Sequence, residues 1–209
     1  MSEEDKGTEE LIFEAAQTVF VQKGFDGTRM EEIARVAGIN KSLLHYYYRT
    51  KEKLFNAIFK KAFSYFMPKV LSTISSDLSF DEKIKIFTAT YVEVLLKNPH
   101  IPIFILNELN RNPDNAAQMI GELTGIAQND TFGKFSALIQ EEIDKGNIRS
   151  IEPEQLIVNL IGLCIFPFAA RPIVQGIVFK NDKKRYNEFL EKRKTEIANF
   201  VLQSIKIEK

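Results

Sequence analysis

Apolar residues recur three and four positions apart along most of the chain, and this spacing limits the possible folds more than any other feature. Leu11, Ala15 and Val19 are one such series. The spacing lines one face of an α-helix, whereas a half-buried strand needs strict alternation, which no long stretch of this chain shows. Only 10 glycines and 7 prolines interrupt the 209 residues. The sequence therefore predicts an all-α protein.

Start and stop signals for two helices lie near the beginning of the chain. Thr8 is predicted to cap the first helix, and Gly24 is predicted to close it in a left-handed conformation. Thr28 and Glu31 have the spacing of a capping box for a second, shorter helix. Gly38 is predicted to end that helix.

A third short helix follows after a tight turn. Asn40 is a suitable cap for a helix over about residues 41–47, and Thr50 is a suitable cap for a fourth helix. The turn between the second and third helices has about three residues, 38–40. Two short helices joined in this way predict a helix-turn-helix, with the third helix as the recognition element.

Beyond residue 72 the predicted helices are longer. Ser79 and Glu82 form a further capping box, Gly146 is predicted to end a helix, and Pro153 suits the first turn of a strongly apolar one. After the helix that Ser79 caps, the principal predicted helices cover about residues 115–127, 131–145, 154–168 and 183–205.

Charge is unevenly distributed, although the chain is neutral overall with 28 basic and 28 acidic residues. Residues 38–61 contain six basic residues and only one acidic residue, a net charge of +5. Residues 1–37 contain nine acidic and four basic residues. A run of charge is often only a solvated helix surface, but its position on a helix-turn-helix favours a phosphate-binding surface.

Residues that perform catalysis or hold metals are scarce. With one cysteine, Cys164, and two histidines, His45 and His100, neither an internal disulfide nor a zinc site is expected. No catalytic Ser/His/Asp set, paired carboxylates or phosphate-binding glycine loop is evident, so we expect neither an enzyme nor a cofactor. A secretory signal and an apolar stretch of about 20 residues are also lacking, so we expect a cytoplasmic protein.

Two sequence segments combine the helix-turn-helix signals into a known pattern. They read GTRMEEIA at residues 27–34 and GINKSLLHYYYRTKEKLFNAIF at residues 38–59. This pattern resembles the DNA-binding domain of the TetR family of bacterial transcriptional regulators. The resemblance implies an N-terminal three-helix DNA-binding domain over residues 1–50. It also implies a larger C-terminal helical ligand-binding and dimerisation domain over residues 51–209, with a connector helix over about 51–72.

The resemblance also implies which side chains meet DNA. Lys51 would clamp a phosphate at the start of the fourth helix, and Leu43 would either touch a thymine methyl group or simply pack. Either Tyr47 or Tyr48 would fill the core of the small domain, and His45 could instead be an ordinary surface residue. The predicted DNA-binding residues are Thr28, Lys41, Ser42, Leu43, His45, Tyr46, Tyr47 and Lys51.

In the same family the larger domain binds a small effector and forms a dimer through its last two long helices. Residues 156–168 and 186–205 are the candidate interface segments, although both also fit plain core helices. An effector pocket should be largely apolar with a few polar anchors, and Arg111 is one possible anchor. The other predicted pocket residues, which equally fit a core, are Phe87, Tyr91, Phe104, Glu108, Met119, Phe132, Phe135 and Phe166.

We therefore interpret the sequence as that of a ligand-responsive DNA-binding transcriptional regulator, and repression is the family's commoner outcome. Its expected partners are a palindromic double-stranded DNA operator, a small apolar effector that releases the DNA, and a second copy of the chain. The alternative is an all-helical small-molecule carrier or protein-interaction module without specific DNA binding.

Overall fold

A computed structural model describes residues 3–99, 101–111, 118, 121–122 and 125–207. Within these ranges the regular structure is helical, as the apolar spacing predicts. The helices are α1 (Glu3–Gly27), α2 (Met30–Val36), α3 (Lys41–Tyr47), α4 (Lys51–Ile74), α5 (Phe80–Lys97), α6 (Ile101–Arg111), α7 (Thr131–Asp144), α8 (Pro153–Ala169), α9 (Arg171–Ile173) and α10 (Lys183–Ser204), with a π-helical turn at Val174–Val178.

The chain divides into two compact units, one containing residues 1–63 and 103–123 and the other residues 64–102 and 124–209. The division falls within α4 and at the start of α6. The functional boundary predicted at residue 50, with 51–72 as a connector, stays a prediction.

In the first unit, α2 packs against both α1 and α3 around one apolar core. Gly24 interrupts α1 with φ 69° and ψ 178°, so the positive φ expected at this glycine is present. Gly38 also has φ 69° and follows Ala37, the C-cap residue of α2, so it ends this helix as predicted. Side chains buried in this core include Ile12, Ala16, Phe20, Ile33, Leu44, Leu54 and Ile58.

Two of the predicted caps in this unit are wrong. Thr8 lies inside α1, which begins at Glu3, so it does not cap that helix. The N-cap of α2 is Arg29 rather than Thr28, and it makes no side-chain cap hydrogen bond. The Thr28 hydroxyl instead donates to the Gly24 carbonyl at 2.6 Å, because the break in α1 leaves that acceptor within reach.

Other predicted helix starts are confirmed. Asn40 Oδ1 accepts the Leu43 amide at 2.8 Å at the start of α3. Thr50 Oγ1 accepts the Lys53 amide at 3.2 Å at the start of α4. Each bond satisfies an amide that lacks an acceptor within its own helix.

In the second unit, α5 and α10 pack closely and α8 lies against both. Ser79 and Glu82 form the predicted capping box of α5, and the buried Lys83 ammonium donates to the Ile74 carbonyl at the end of α4. Pro153 occupies the first turn of α8, as predicted. The buried apolar side chains here include Ile84, Leu95, Ile139, Leu156, Leu160, Ile197 and Ile205.

Most of the helix predicted over residues 115–127 lies outside the described residues. Residues 121–122 are helical, and residues 125–130 form turns that end at Asp130, whose φ is 46°. The predicted bend near residue 129 thus precedes α7.

No single helix among the described residues is long and apolar enough to cross a membrane. The pair formed by Pro153–Ala169 and Arg171–Val178 has sufficient apolar length only in combination, and it is bent by 64°.

Candidate nucleic-acid interface and effector region

The inner face of α3 fixes this helix to the core of the first unit. Leu44 is fully buried, and Tyr48, directly after the helix, is buried against Phe13 with the ring centroids 5.8 Å apart. The Tyr48 hydroxyl donates to Glu9, and burial is the main cause that raises the pKa of this hydroxyl. Tyr48 therefore fills the core, as one of the two predicted alternatives, while Tyr47 packs at its edge.

The outer face of α3 carries most of the predicted DNA-binding residues. Lys41 and Ser42 are exposed at its first turn, and Tyr46 is 80% exposed. The Tyr46 ring meets the Tyr47 ring edge-on, with the centroids 5.6 Å apart. A rigid inner face and an accessible polar and aromatic outer face are what a helix needs to enter a DNA groove.

Two further side chains of α3 are half-buried. Leu43 lies partly against the domain, and the His45 ring Nδ1 is 3.2 Å from the Arg49 carbonyl oxygen. Leu43 and His45 therefore lie at the edge of the exposed face of α3, not at its centre.

Acidic residues of α1 and α2 reach two of the basic side chains in the +5 segment. The Lys41 ammonium lies 2.5 Å from Glu31 Oε1, and the Lys61 ammonium pairs with Glu10. The hydrogen bond from Lys41 holds the pKa of the Glu31 carboxyl below its usual range. The sequence interpretation treated the acidic flank and the basic segment separately and missed Glu31 and Glu10. The excess of acidic residues in positions 1–37 was the signal that could have suggested these pairings.

Thr28 and Lys51 meet at the turn before α2. The Lys51 ammonium donates to the Phe25 carbonyl at 2.6 Å and to the Thr28 carbonyl at 3.2 Å. It also lies 4.3 Å from the centroid of the Phe25 ring. Thr28 is buried, and its hydroxyl is bonded to Gly24. The geometry thus gives both residues contacts within the fold, besides the DNA contacts predicted for them.

Three of the predicted effector residues share one aromatic cluster in the second unit. The Phe87 ring lies 5.8 Å from Tyr91 and 5.6 Å from Phe135, measured between centroids. Phe66, which the sequence interpretation missed, stacks on Tyr91 at 4.6 Å. Burial raises the pKa of the Tyr91 hydroxyl, which lies among these rings. We call Phe66, Phe87, Tyr91 and Phe135 the aromatic cluster.

The remaining predicted effector residues do not join the aromatic cluster in the described part of the chain. Phe132 is about half exposed on α7, and Phe166 is exposed on α8. Met119 lies outside the described residues, as do the side chains of Phe104, Glu108 and Arg111.

An apolar groove runs beside α8 and α10, which contain the predicted dimerisation segments. Its volume is about 680 Å³, and its walls include Gly162, Phe179 and Phe189. Three apolar side chains that line this groove are 59–65% exposed, and Phe200, which borders an adjacent cavity, is 66% exposed. Exposed apolar side chains clustered in this way are unusual on a protein surface. We call these four the apolar face; they are Val158, Phe166, Val178 and Phe200.

A proline interrupts α8 beside this groove. Because Pro167 has no amide hydrogen, the Leu163 carbonyl has no donor within the helix. Arg193 of α10 supplies one from Nη2 at 2.6 Å, while its buried Nε has no hydrogen-bond partner among the described residues. Burial lowers the pKa of this guanidinium and raises the pKa of the neighbouring Cys164 thiol to about 12.

Comparison with known proteins identifies the family. Residues 12–58 match the family model for bacterial regulatory proteins of the tetR family. The transcriptional regulator RutR of Escherichia coli K12 is 30% identical over 147 residues, which are 70% of this chain and 66% of RutR. The chain belongs to the TetR family.

Other TetR-family matches extend over more of the chain. The fatty acid metabolism regulator of Bacillus subtilis 168 is 23% identical over 173 residues, covering 83% of this chain and 84% of that protein. The crystal structure of FadR from Bacillus subtilis in complex with stearoyl-CoA has a TM-score of 0.66 at 16% identity, covering 94% of this chain and 98% of the other. This structural likeness establishes the fold alone.

Membership of the TetR family agrees with the predicted helix-turn-helix and larger helical domain. The related proteins are transcriptional regulators rather than enzymes, so the non-catalytic interpretation is confirmed. No group of three or more metal-ligating side chains is found in the part of the chain that the structure describes.

Proposed function

We propose that this chain is a transcriptional repressor that binds a palindromic DNA operator as a homodimer and releases it when a small apolar-tailed effector binds. The observation that carries the DNA-binding part is the two-sided character of α3. Leu44 holds one side in the core, while Lys41, Ser42 and Tyr46 are accessible on the other. In a two-fold dimer, two such helices would enter successive major grooves about 34–36 Å apart.

DNA binding is tested by titrating fragments upstream of neighbouring genes and locating the protected palindrome. The expected affinity falls steeply as salt rises from about 50 to about 200 mM, because bound phosphates release counterions. Lys41→Ala should weaken binding and reduce the salt slope by about one unit. Lys134→Ala is the matched control, since it removes an exposed lysine of α7. Binding that is absent or insensitive to salt would favour the alternative carrier or interaction module.

The homodimer is supported by the apolar face and its groove. Val158, Phe166 and Val178 are exposed in the single chain, although water contact with so much neighbouring apolar surface is unfavourable. A second copy could cover this surface in a symmetric contact, since a two-fold interface uses the same residues on both sides.

Light scattering after size exclusion tests the dimer. The parent chain should elute as a dimer, and Phe166→Glu should shift it to a monomer because a charge would be buried in the contact. Leu11→Glu changes an apolar residue of α1 that is 51% exposed and should leave the dimer intact. A monomeric parent chain would reject the proposed interface.

The aromatic cluster supports an effector with an apolar tail. Its rings form an apolar and largely buried environment, and the buried Thr131 hydroxyl of α7 has no hydrogen-bond partner among the described residues. The Bacillus subtilis sequence match is named as a fatty acid metabolism regulator, and the Bacillus subtilis FadR structure contains stearoyl-CoA. We therefore propose a fatty acid or fatty acyl thioester as the effector class.

Native mass spectrometry of the purified chain, followed by DNA-release titrations with fatty acids and acyl-CoA thioesters of increasing length, tests this class. Phe87→Ala should raise the concentration needed for release, whereas Phe132→Ala on the exposed surface of α7 should not. Release by polar metabolites alone, or dependence on Phe132 rather than Phe87, would reject the assignment.

A further inference from the structure

The first residue of the recognition helix forms an ion pair within the protein. Lys41 begins α3, and its ammonium lies 2.5 Å from Glu31 Oε1 in the first turn of α2. The two side chains are 54% and 60% exposed. The pair is therefore in contact with solvent, on the same helix face that is proposed to meet DNA.

The same ammonium is the group that a phosphate would need. A phosphate that approaches Lys41 also approaches the Glu31 carboxylate, which repels it. When DNA binds, its phosphate must therefore either displace this carboxylate or lie beside a second negative charge. Either event reduces the gain from the lysine contact.

From this geometry we propose that Glu31 limits DNA affinity by holding Lys41 in an internal ion pair that phosphate must replace. The proposal rests on the proposed DNA-binding function. In this proposal, the Glu31 carboxylate of α2 competes with DNA phosphates for the Lys41 ammonium.

The neighbouring carboxylate shows what a purely structural pair looks like in this unit. The Glu32 side chain is 21% exposed and pairs with Lys23 at 2.8 Å and with Arg35 at 3.7 Å. Lys23 belongs to α1 and Arg35 to α2 itself, so the Glu32 pairs join α1 to α2 and brace α2 without involving the recognition helix. The Glu31 pair instead joins α2 to a residue on the exposed face of α3.

A different role for Glu31 has the opposite consequence. If the carboxylate orients Lys41 toward DNA, its removal weakens binding, because the lysine loses a productive conformation. If the carboxylate withholds Lys41, its removal strengthens binding. The sign of the change in affinity therefore decides between the two roles.

The test measures operator affinity for the full-length parent and for Glu31→Gln, which keeps the shape and removes the charge. We expect binding to become about twofold to fivefold tighter at low salt, the range typical of an exposed ion pair. The gain should shrink as salt increases, because exposed charges are screened. Glu14→Gln is the matched control, since it removes one exposed carboxylate of α1 and should change affinity less.

A double-mutant cycle with Lys41→Met identifies the mechanism. The gain from Glu31→Gln should largely vanish in the Lys41→Met background, because no ammonium is then left to release. Unchanged or weaker binding by Glu31→Gln would overturn the proposal, and so would an undiminished gain in the Lys41→Met background. If the parent chain binds no DNA at any salt concentration, the proposed function fails instead.

Discussion

The segment α1–α3 and the segment α8–α10 bury their apolar residues in different ways. In α1–α3, Leu44 and Tyr48 point into the core, and the exposed residues of α3 are mainly polar or aromatic with a hydroxyl. In α8–α10, Leu160 and Cys164 are buried, yet Phe166 and its apolar neighbours remain exposed.

The two segments also differ in how completely their cationic side chains are paired. In α1–α3, the exposed Lys41 finds a carboxylate within its own unit. In α8–α10, the half-buried Arg193 donates to a carbonyl and leaves its Nε without a partner among the described residues. The first segment completes its core within one chain, whereas the second leaves an exposed apolar face, which supports the proposed dimer contact.

The largest expected effect tests whether α3 is really two-sided. Leu44→Ala should lower the free energy of unfolding by about 2–5 kcal/mol, because it leaves a cavity in a fully buried site. Tyr46→Ala should change it by less than about 0.5 kcal/mol, because this side chain is exposed. Urea unfolding followed by circular dichroism measures both. Similar losses for the two variants would contradict the two-sided description.

The next effect sharpens the role of Lys51. Lys51→Met should cost about 1.5–3 kcal/mol of stability, because charged hydrogen bonds to the Phe25 and Thr28 carbonyls are lost. If Lys51 acts mainly inside the fold, its loss should lower DNA affinity only through the weakened fold, and the dependence of affinity on salt concentration should stay unchanged. A slope that decreases by about 0.9 would identify Lys51 as a phosphate clamp, as predicted from the sequence.

A somewhat smaller effect tests the irregular helix of the second segment. Arg193→Met should cost about 1–3 kcal/mol, because the Leu163 carbonyl loses its donor. In a Pro167→Ala background the new amide of residue 167 can supply the missing hydrogen bond, so the loss should be smaller. Equal losses in the two backgrounds, measured by urea unfolding, would show that Arg193 does not compensate for the proline.

The smallest effect concerns helix starts, at which the two units should behave alike. Asn40→Ala and Ser79→Ala should each cost about 1 kcal/mol, because an amide of the first turn loses its acceptor. Glycine at either position should cost only a few tenths of that amount. Thermal unfolding measures the stability lost in each variant. A loss at only one of the two positions would show that the cap at the other position is redundant.

Local hydrogen bonds were the most predictable part of this fold. Asn40 and Ser79 reach amides three residues away, so their neighbours in sequence determine the outcome. Thr28 failed as a cap because the Gly24 carbonyl became available only through a break in another helix. Lys51 reaches a carbonyl 26 residues away, and no spacing rule covers such a contact.

Apolar periodicity had a similar limit at the candidate sites. It located Phe87, Tyr91 and Phe135, which form one aromatic cluster. It also predicted Phe166 as an effector residue, and this side chain is exposed on the apolar face; its effector role stays a prediction. Helical spacing records which side of a helix is apolar, but it does not record whether that side meets the same chain, a ligand or a second copy.

The π-helical turn at Val174–Val178 has a consequence for how this surface can change. The Phe179 amide bonds to the Val174 carbonyl five residues back, so the turn contains one residue more than an α-helical turn. Removing one residue there would turn it into an ordinary α-helical turn, in which successive side chains are about 100° apart. We expect a single-residue deletion in this turn to change the directions of Ile177 and Val178 while α8 and α10 keep their positions. Chain length, rather than residue identity, would then alter the proposed dimer contact.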